Sequence, residues 1–282
     1  MFIDKTLLIT GGTGSLGTAL CNHLIKKNMI PKKLIIFSRD WLKQKNLRTE
    51  LGDPKFMRWR IGDVRDKDRL RQAFKDADYI IHAAALKDLP SAEENPDEAM
   101  SINSEGTKNV RDIAIECGVK KAILISTDKA CNPINTYGMS KAVAERYFLD
   151  GNVYSADKTK FSVCRYGNVI NSNGSVIPVW KKLIEDGAKE LPVTDERMTR
   201  FFYPMEDAIK LIINSLATMQ GGELFIPRIP SIRIVDLAAA FGMPYKVTGI
   251  RPGEKLHESL ENGYNSGTNP HFLTVEEIKK QL

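Results

Sequence analysis

Short apolar runs alternate with longer stretches of mixed polarity through the first two thirds of the chain. The runs are almost continuously aliphatic or β-branched, as expected for parallel strands buried on both faces. They predict strands at 6–10, 33–38, 58–61, 79–83, 122–126 and 161–165. The stretches between them predict helices at 15–27, 40–51, 67–75, 96–117 and 137–150. This alternation predicts an α/β fold with a doubly wound parallel sheet of Rossmann type.

Beyond Gly167 the alternation gives way to segments rich in Gly, Pro and Asn, first at 167–178 and later at 227–230 and 251–253. Such segments are typical of turns and loops. We therefore expect residues 1–166 to form the main domain and residues 167–282 mainly a smaller C-terminal lobe that binds substrate. Some segments of this lobe are expected to return to the main domain.

Composition and charge narrow the function classes. The 282 residues are 42% hydrophobic and 27% charged, with a net charge of +6 from scattered lysines. A solvated surface explains this charge, and attraction of a polyanion such as a nucleoside diphosphate is the alternative. The sequence contains no block of like charges, so we do not expect it to bind nucleic acid. No apolar run is long enough for a membrane helix, and the first residues lack the pattern of a signal peptide.

Four cysteines, Cys21, Cys117, Cys131 and Cys164, lie far apart in the sequence. They show no Cys-x-x-Cys or other metal-binding spacing. This pattern is typical of reduced thiols, and it predicts a cytoplasmic protein without a bound metal.

A glycine-rich turn joins the first predicted strand to the first predicted helix. Its glycines allow a tight turn, close approach of the backbone to a pyrophosphate and close packing of helix on strand. The spacing alone is weak evidence, but its position predicts a dinucleotide-binding site; the alternative is a glycine-rich turn without a ligand. The residues assigned to this part of the site are Gly11, Thr13, Gly14, Ser15, Leu16 and Gly17.

The end of the second strand bears on the choice between NAD and NADP. Ser38 stands where a carboxylate would bind the ribose of NAD, and Arg39 follows it. A neutral hydroxyl beside a cation favours NADP over NAD, since arginine accommodates a 2′-phosphate. Two alternatives stay open: Asp40 could turn back to the ribose, or Arg39 could be a solvated loop residue.

The ends of the third and fourth strands complete the predicted cofactor site. Asp63 ends the third strand and is expected to face the adenine, with Val64 beside it. The small side chains after the fourth strand leave room for the dinucleotide. These are Ala83, Ala84 and Ala85.

Tyr137 and Lys141 are four residues apart at the start of a predicted helix, so they share one face. A nearby ammonium stabilises a phenolate, which predicts a lowered pKa for Tyr137. Such a tyrosine could take the proton of a sugar hydroxyl while hydride leaves the same carbon for nicotinamide. Thr127, at the end of the fifth strand, could bond the same oxygen. Tyr137 and Lys141 would also contact the cofactor.

Asp128 and Lys129 add an acid and a base next to this pair. Once C4 of a sugar is oxidised, Lys129 could remove the C5 proton while Asp128 protonates the departing C6 hydroxyl. Lys129 must then be partly neutral, and Lys87 is a candidate cation to favour that state. The alternative is a turn whose charges are solvated. The combination favours a sugar-nucleotide dehydratase that regenerates its cofactor within each turnover.

These residues lie in motifs that resemble the extended short-chain dehydrogenase/reductases, and within them the soluble UDP-N-acetylglucosamine 4,6-dehydratases (5-inverting) of flagellin-sugar and capsule polysaccharide biosynthesis. The motifs are TGGTGSLG (10–17), FSRD (37–40), GDVRD (62–66), HAAALK (82–87), STDKA (126–130), NP (132–133), YGMSK (137–141), RYGN (165–168), GSVIP (174–178), MTRF (198–201) and RPGEKLH (251–257). The Thr-Asp-Lys triplet is specific, because other nucleotide-sugar 4,6-dehydratases carry Thr-Asp-Glu. Two departures are Asp88, where His or Gln is expected, and a shorter region after Glu258.

The resemblance implies a UDP-N-acetylglucosamine substrate, inversion at C5 and a homo-oligomer, a dimer or larger. Arginine's planar fork matches a phosphate, so Arg251 would bind the diphosphate and Glu254 the ribose hydroxyls. Asn168 and Arg200 are further candidates for the diphosphate, and Lys87 and Asn103 for the sugar pocket. A structural ion pair is the alternative for Arg200, and a turn the alternative for Asn168.

Two other functions stay open from the sequence. A C4-epimerase or C4-reductase would use Tyr137 and Thr127 but not Asp128 and Lys129. A non-catalytic NADP-binding sensor or scaffold would need neither Tyr137 nor Lys141.

Overall fold

The computed structural model describes residues 2–156 and 158–282. In chain order the strands are β1 (Thr6–Thr10), β2 (Lys33–Ser38), β3 (Met57–Ile61), β4 (Tyr79–His82), β5 (Lys121–Thr127), β6 (Lys160–Tyr166), β7 (Asn168–Val169), β8 (Leu191–Val193), β9 (Thr199–Tyr203), β10 (Leu224–Phe225), β11 (Ser231–Arg233), β12 (Tyr245–Val247), β13 (Ser259–Glu261) and β14 (Tyr264–Asn265). The α-helices are α1 (Ser15–Lys26), α2 (Trp41–Glu50), α3 (Lys67–Phe74), α4 (Leu89–Glu94), α5 (Pro96–Met100), α6 (Gly106–Glu116), α7 (Thr136–Tyr154), α8 (Val176–Glu185), α9 (Met205–Thr218), α10 (Ile234–Ala240) and α11 (Val275–Lys279).

The main sheet is parallel, with strand order β10-β6-β5-β4-β1-β2-β3. Successive side chains of a strand point to opposite faces, so each face has its own core. Leu7 and Ile9 pack with α1 and α9 on one face, while Leu8 packs with α3, α6 and α7 on the other. The predicted doubly wound fold is confirmed. It gathers the carboxyl ends of β1, β2, β4 and β5 along one edge, where ligands bind in such sheets.

Some elements of the C-terminal part of the chain form their own core, and others pack on the main domain. A separate core unites β8, β9, β11, α8, α10 and α11. In contrast, β10 pairs with β6 at the edge of the main sheet, and α9 packs on α1. The division after residue 166 stays a prediction. None of the described helices combines the length and the apolar character needed to cross a membrane.

The predicted helix at 96–117 is helical as expected, but it is not α-helical throughout. The stretch 96–117 is α5, then a π-helical segment at Ser101–Glu105, then α6. A π segment inserts extra backbone into a helix and is frequent at functional sites. Helix α4 was also not predicted, whereas the other predicted elements end within a few residues of those observed.

Candidate active site

The glycine turn after β1 leaves no room for side chains. Gly11 has φ +65°, and a Cβ on it would lie 2.8 Å from the backbone N of Ala84. A Cβ on Gly17 would lie 2.5 Å from the backbone of Gly12. Both contacts require glycine, because a backbone neighbour cannot move aside. The turn therefore brings α1 and the end of β4 as close as a dinucleotide cradle demands.

The amino end of α1 faces open space. Its N-cap is Gly14, which has no side chain to bond the free N–H groups of the first turn. A cavity of about 380 Å³ adjoins it, lined in part by Thr13, Ser15 and Asn173. Leu16 packs half-buried against the core, so it offers the site only its backbone. Free N–H groups at a helix start fit the pyrophosphate of a dinucleotide.

A hydroxyl, a cation and a carboxylate follow one another at the end of β2. The hydroxyl of Ser38 is buried and accepts a hydrogen bond from Gln44 Nε2 at 3.0 Å. Arg39 is half-exposed, and its Nη1 lies 3.6 Å from Asp63 Oδ2. Asp40 caps α2 by accepting from Lys43 N at 2.9 Å. One oxygen of the Asp40 carboxylate thus bonds the start of α2.

Asp63 and its neighbours border this edge. Burial alone would raise the pKa of Asp63, but hydrogen bonds from Arg65 hold it below its usual value. Val64 is buried beneath it, and Ala83, Ala84 and Ala85 are only partly buried after β4. The carboxylate therefore stays ionised where the adenine end of a dinucleotide is expected.

His82 is a support that the sequence analysis did not identify. It has no exposed surface, and its ring lies 2.6 Å from Thr10 Oγ1 and 2.9 Å from Thr107 Oγ1. Burial, together with the charge of Lys141, lowers the pKa of His82 to about 3, so the ring is neutral. Thr10 Oγ1 also accepts from Ala84 N at 3.3 Å. This network fixes the ends of β1 and β4 on which the cofactor residues stand.

The Asp128–Lys129 turn is buried. Asp128, at the start of a 3-10 helix (Asp128–Ala130), is 1% exposed. Its Oδ1 accepts from Thr127 Oγ1 at 2.9 Å and from Lys129 Nζ at 3.1 Å, while its Oδ2 has no hydrogen-bond partner. The alternative of a solvated turn is therefore wrong. An acid and a base stand together at the carboxyl end of β5.

The environment of Lys129 differs from the expected one. Burial would lower the pKa of Lys129, but the carboxylates of Asp128 and Glu258 outweigh it and raise that pKa. Lys87 does not face Lys129, since Lys87 Nζ donates to the carbonyl of Asn173 at 2.6 Å. The cation that does act on Lys129 is Arg200. Lys129 is thus an ammonium in the resting site, not a partly neutral amine.

Tyr137 and Lys141 also depart from the expectation. Burial raises the pKa of Tyr137 to about 12, although the charge of Lys129 and the neighbouring Thr127 oppose this shift. Lys141 Nζ donates to the carbonyl of Ile125 at 2.8 Å, and burial lowers the pKa of Lys141 to about 8. A phenol deep in protein loses the solvation of its anion, which is why proximity to an ammonium alone does not lower its pKa.

The predicted substrate residues differ in whether their polar side chains are already hydrogen-bonded within the protein. Asn103 is wrong as a pocket-lining residue: it is fully buried, and its amide bonds the backbone of Leu86 and the hydroxyl of Ser140. It braces the loop before Lys87 against α7. Asn168 is half-buried, and its Oδ1 is buried without a hydrogen-bond partner.

Arg251 and Glu254 reach the site through a docked turn. Gly253 O accepts from Asn135 Nδ2 at 2.7 Å, and Asn135 Oδ1 also caps α7. The Arg251 side chain is 66% exposed, and Glu254 is largely covered. Arg200 is half-buried and donates to the carbonyls of Thr199 and Leu256, which leaves the rest of its guanidinium available.

Comparison with known proteins places this geometry in a family. The model of the family "Polysaccharide biosynthesis protein" matches residues 7–278. The chain belongs to this family. It is 52% identical over 285 residues to a UDP-N-acetylglucosamine 4,6-dehydratase (inverting) of Campylobacter jejuni subsp. jejuni serotype O:2, covering 100% of this chain and 85% of that protein.

Two solved structures are also similar to this polysaccharide biosynthesis protein. Pen from Bacillus thuringiensis has a TM-score of 0.92 and 32% identity, covering 99% of this chain and 98% of Pen. The dTDP-glucose 4,6-dehydratase DesIV from Streptomyces venezuelae, with NAD and TYD bound, has a TM-score of 0.84 over 98% of this chain and 95% of DesIV. At 20% identity, DesIV shows the shared fold alone.

Proposed function

We propose that this polysaccharide biosynthesis protein is an NADP-dependent UDP-N-acetylglucosamine 4,6-dehydratase that inverts C5. The observation that carries the proposal is the buried Asp128–Lys129 pair beside Thr127 and Tyr137. An acid and a base have no task in a simple redox reaction at C4, and elimination of water needs both. The similarity to the Campylobacter jejuni dehydratase over the whole chain supports the same substrate and the same stereochemical outcome.

The residues divide the reaction between them. When bound, the nicotinamide would oxidise C4 and later reduce C6. Tyr137 takes the proton of the C4 hydroxyl in its minor phenolate form, which the charge of Lys129 favours, and Thr127 orients that oxygen. Lys129 takes the proton of C5, which the C4 ketone has made acidic, and Asp128 protonates the C6 hydroxyl so that it leaves as water. The product is a UDP-2-acetamido-2,6-dideoxy-L-arabino-hex-4-ulose.

The cofactor proposed is NADP. Gly11 and Gly17 allow the turn to pack closely on Ala84 and Gly12, and the bare amino end of α1 would supply hydrogen-bond donors to a pyrophosphate. Ser38, Arg39 and the capping role of Asp40 support a 2′-phosphate over a free ribose hydroxyl. Tyr137 and Lys141 would hold the nicotinamide end.

The nucleoside diphosphate of the substrate would meet Arg251, Arg200 and Asn168, with Glu254 toward the ribose and Lys87 toward the sugar. Arg251 is exposed and free to close on a phosphate. The four cysteines are unpaired, which supports a reducing compartment such as the cytoplasm. A homo-oligomer stays a prediction.

Lys129→Arg tests the proposal against a C4-epimerase or reductase. Arginine keeps the positive charge between the carboxylates but cannot act as a base. We expect dehydration of UDP-N-acetylglucosamine to fall by about 10²- to 10⁴-fold, with C4 oxidation still visible as absorbance of the reduced cofactor. Lys121→Arg, at the start of β5 with its ammonium on the backbone carbonyls of Leu216 and Ala217, is the matched control. Unchanged turnover to a C4 epimer or alcohol would favour the alternative.

A further inference from the structure

A second carboxylate contacts the base Lys129 in addition to Asp128. Glu258 is 2% exposed, and its Oε1 lies 3.3 Å from Lys129 Nζ. Asp128 Oδ1 lies 3.1 Å from the same nitrogen. The Lys129 ammonium therefore sits between two buried carboxylates, although only one of them belongs to the Thr-Asp-Lys sequence.

Hydrogen bonds hold the backbone of Glu258 in place. Its backbone N donates to Ser266 Oγ at 2.9 Å, and its carbonyl accepts from Ser266 N at 2.8 Å. Ser266 Oγ lies in turn 2.8 Å from Thr199 Oγ1. The hairpin of β13 and β14 thus fixes the carboxylate on Lys129. A side chain held this way adds direction as well as charge.

The charges around Glu258 make it an anion. Burial alone would raise the pKa of Glu258, but Lys129, Arg200 and Lys255 lower it below its usual value. Lys129 and Asp128 face it from the 3-10 turn, Arg200 from β9, and Lys255 from its own segment at 3.7 Å. Its Oε2 is buried without a hydrogen bond. Burial raises the pKa of Asp128, and the negative charge of Glu258 raises it further.

We propose that Glu258 is a positioning residue for the elimination step: it holds Lys129 toward C5 and keeps a proton on the Asp128–Lys129 pair. The inference deepens the proposed function and rests on it. A negative charge next to the pair favours the protonated form of both members. Without it, the pair would lose the proton that the C6 hydroxyl needs.

The proton count closes over the elimination step. Before elimination the proton of the pair moves from Lys129 to Asp128, giving an amine and a carboxylic acid. Lys129 then takes the C5 proton, the C5–H electrons form the C5–C6 double bond, and the C6–O bond breaks as Asp128 protonates the oxygen to give water. Lys129 is again an ammonium and Asp128 a carboxylate. Glu258 stays an anion throughout and balances the ammonium at both ends of the step.

Glu258→Gln removes the charge while keeping the shape. We expect kcat for dehydration to fall by about 10- to 100-fold, less than loss of an acid–base group itself, with the KM for UDP-N-acetylglucosamine nearly unchanged. Both limbs of the pH profile of kcat should move to lower pH by roughly one to two units, since Asp128 and Lys129 both lose a raising charge. Glu258→Asp should keep the wild-type profile. Glu261→Gln, on β13 beside surface Arg228, is the control.

Each outcome for Glu258→Gln either supports or overturns the inference. Reduced cofactor should accumulate in Glu258→Gln, because C4 oxidation does not need the pair. An unchanged kcat and pH profile in this variant, with active wild-type enzyme, would overturn the inference alone. Loss of C4 oxidation together with a lower melting temperature would mean a merely structural role and would also overturn it. Wild-type enzyme that does not dehydrate the UDP-sugar would overturn the proposed function and the inference with it.

Discussion

At the scale of single residues, identity was easier to predict from the sequence than protonation state. The motifs led to Asp128, Lys129 and Tyr137, and the structure brings all three together at the end of β5. Their pKa values depend on burial and on charges far away in the sequence, such as Glu258, which is 129 positions from Lys129. No spacing rule reports such a contact.

The same limit applies to Asn103. Its residue type suits a sugar pocket, yet its amide is fully used by backbone and by Ser140. Whether a polar side chain lines a cavity or braces one depends on packing that the local pattern does not contain.

A prediction at this scale concerns Arg39 and the preference for NADP over NAD. Arg39→Ala should weaken NADP binding by about 10- to 100-fold, the range of a charge-assisted hydrogen bond, and leave NAD binding nearly unchanged. Fluorescence titration of each cofactor measures both values. Arg60→Ala, on exposed β3 nearby, controls for a general loss of positive charge. Equal weakening for both cofactors would argue against a 2′-phosphate site at Arg39.

At the scale of elements, the strands and their loops were predictable because buried parallel strands are continuously apolar. The interruption of 96–117 was not. It depends on Asn103 reaching Leu86 on one side and Ser140 of α7 on the other. Local sequence predicts a plain helix there, and only the neighbouring elements favour the π segment.

A prediction at this scale concerns the contact between α7 and the turn that carries Asp128 and Lys129. A Cβ on Gly138 would overlap the carbonyl oxygen of Lys129. Gly138→Ala should therefore shift the turn and lower kcat by about 10²-fold, as expected when reacting groups move by about 1 Å. The variant should still melt cooperatively by circular dichroism. Met139→Ala, exposed on the next position of α7, is the control, and a Gly138→Ala enzyme with wild-type kcat would contradict this contact.

At the scale of the whole molecule, the two cores on the main sheet and the third core of the C-terminal part meet at the active site. Lys129 comes from the first part of the chain, and Glu258, Arg200 and Arg251 from the second. The lobe and the return of some of its segments to the main domain were expected, but not that β10 and α9 are segments that return. A two-residue strand carries too little pattern to be assigned from sequence.

Because His82 is buried as a neutral ring, the unfolding free energy of the whole protein depends on pH. Its pKa is about 3 in the folded protein and about 6.5 when unfolded. As the pH falls below the unfolded value, the unfolded chain binds a proton that the native ring refuses, so stability is lost. Between about pH 7 and pH 5 this amounts to roughly 2 kcal/mol of unfolding free energy.

Urea unfolding at the two pH values checks this. His82→Gln should be less stable at neutral pH but should lose less stability on acidification than the wild type. His271→Gln, at an exposed position, should keep the wild-type pH dependence. An unchanged slope in His82→Gln would mean that other groups control the acid sensitivity.

The central claim is that water is eliminated across C5 and C6 by the Asp128–Lys129 pair. The most direct measurement is proton NMR of UDP-N-acetylglucosamine incubated with the purified protein and NADP in heavy water. We expect the C6 hydroxymethyl group to become a methyl group, with deuterium entering at C5 in the inverted configuration. A C4 epimer that keeps its C6 hydroxyl and carries no deuterium at C5 would contradict the account.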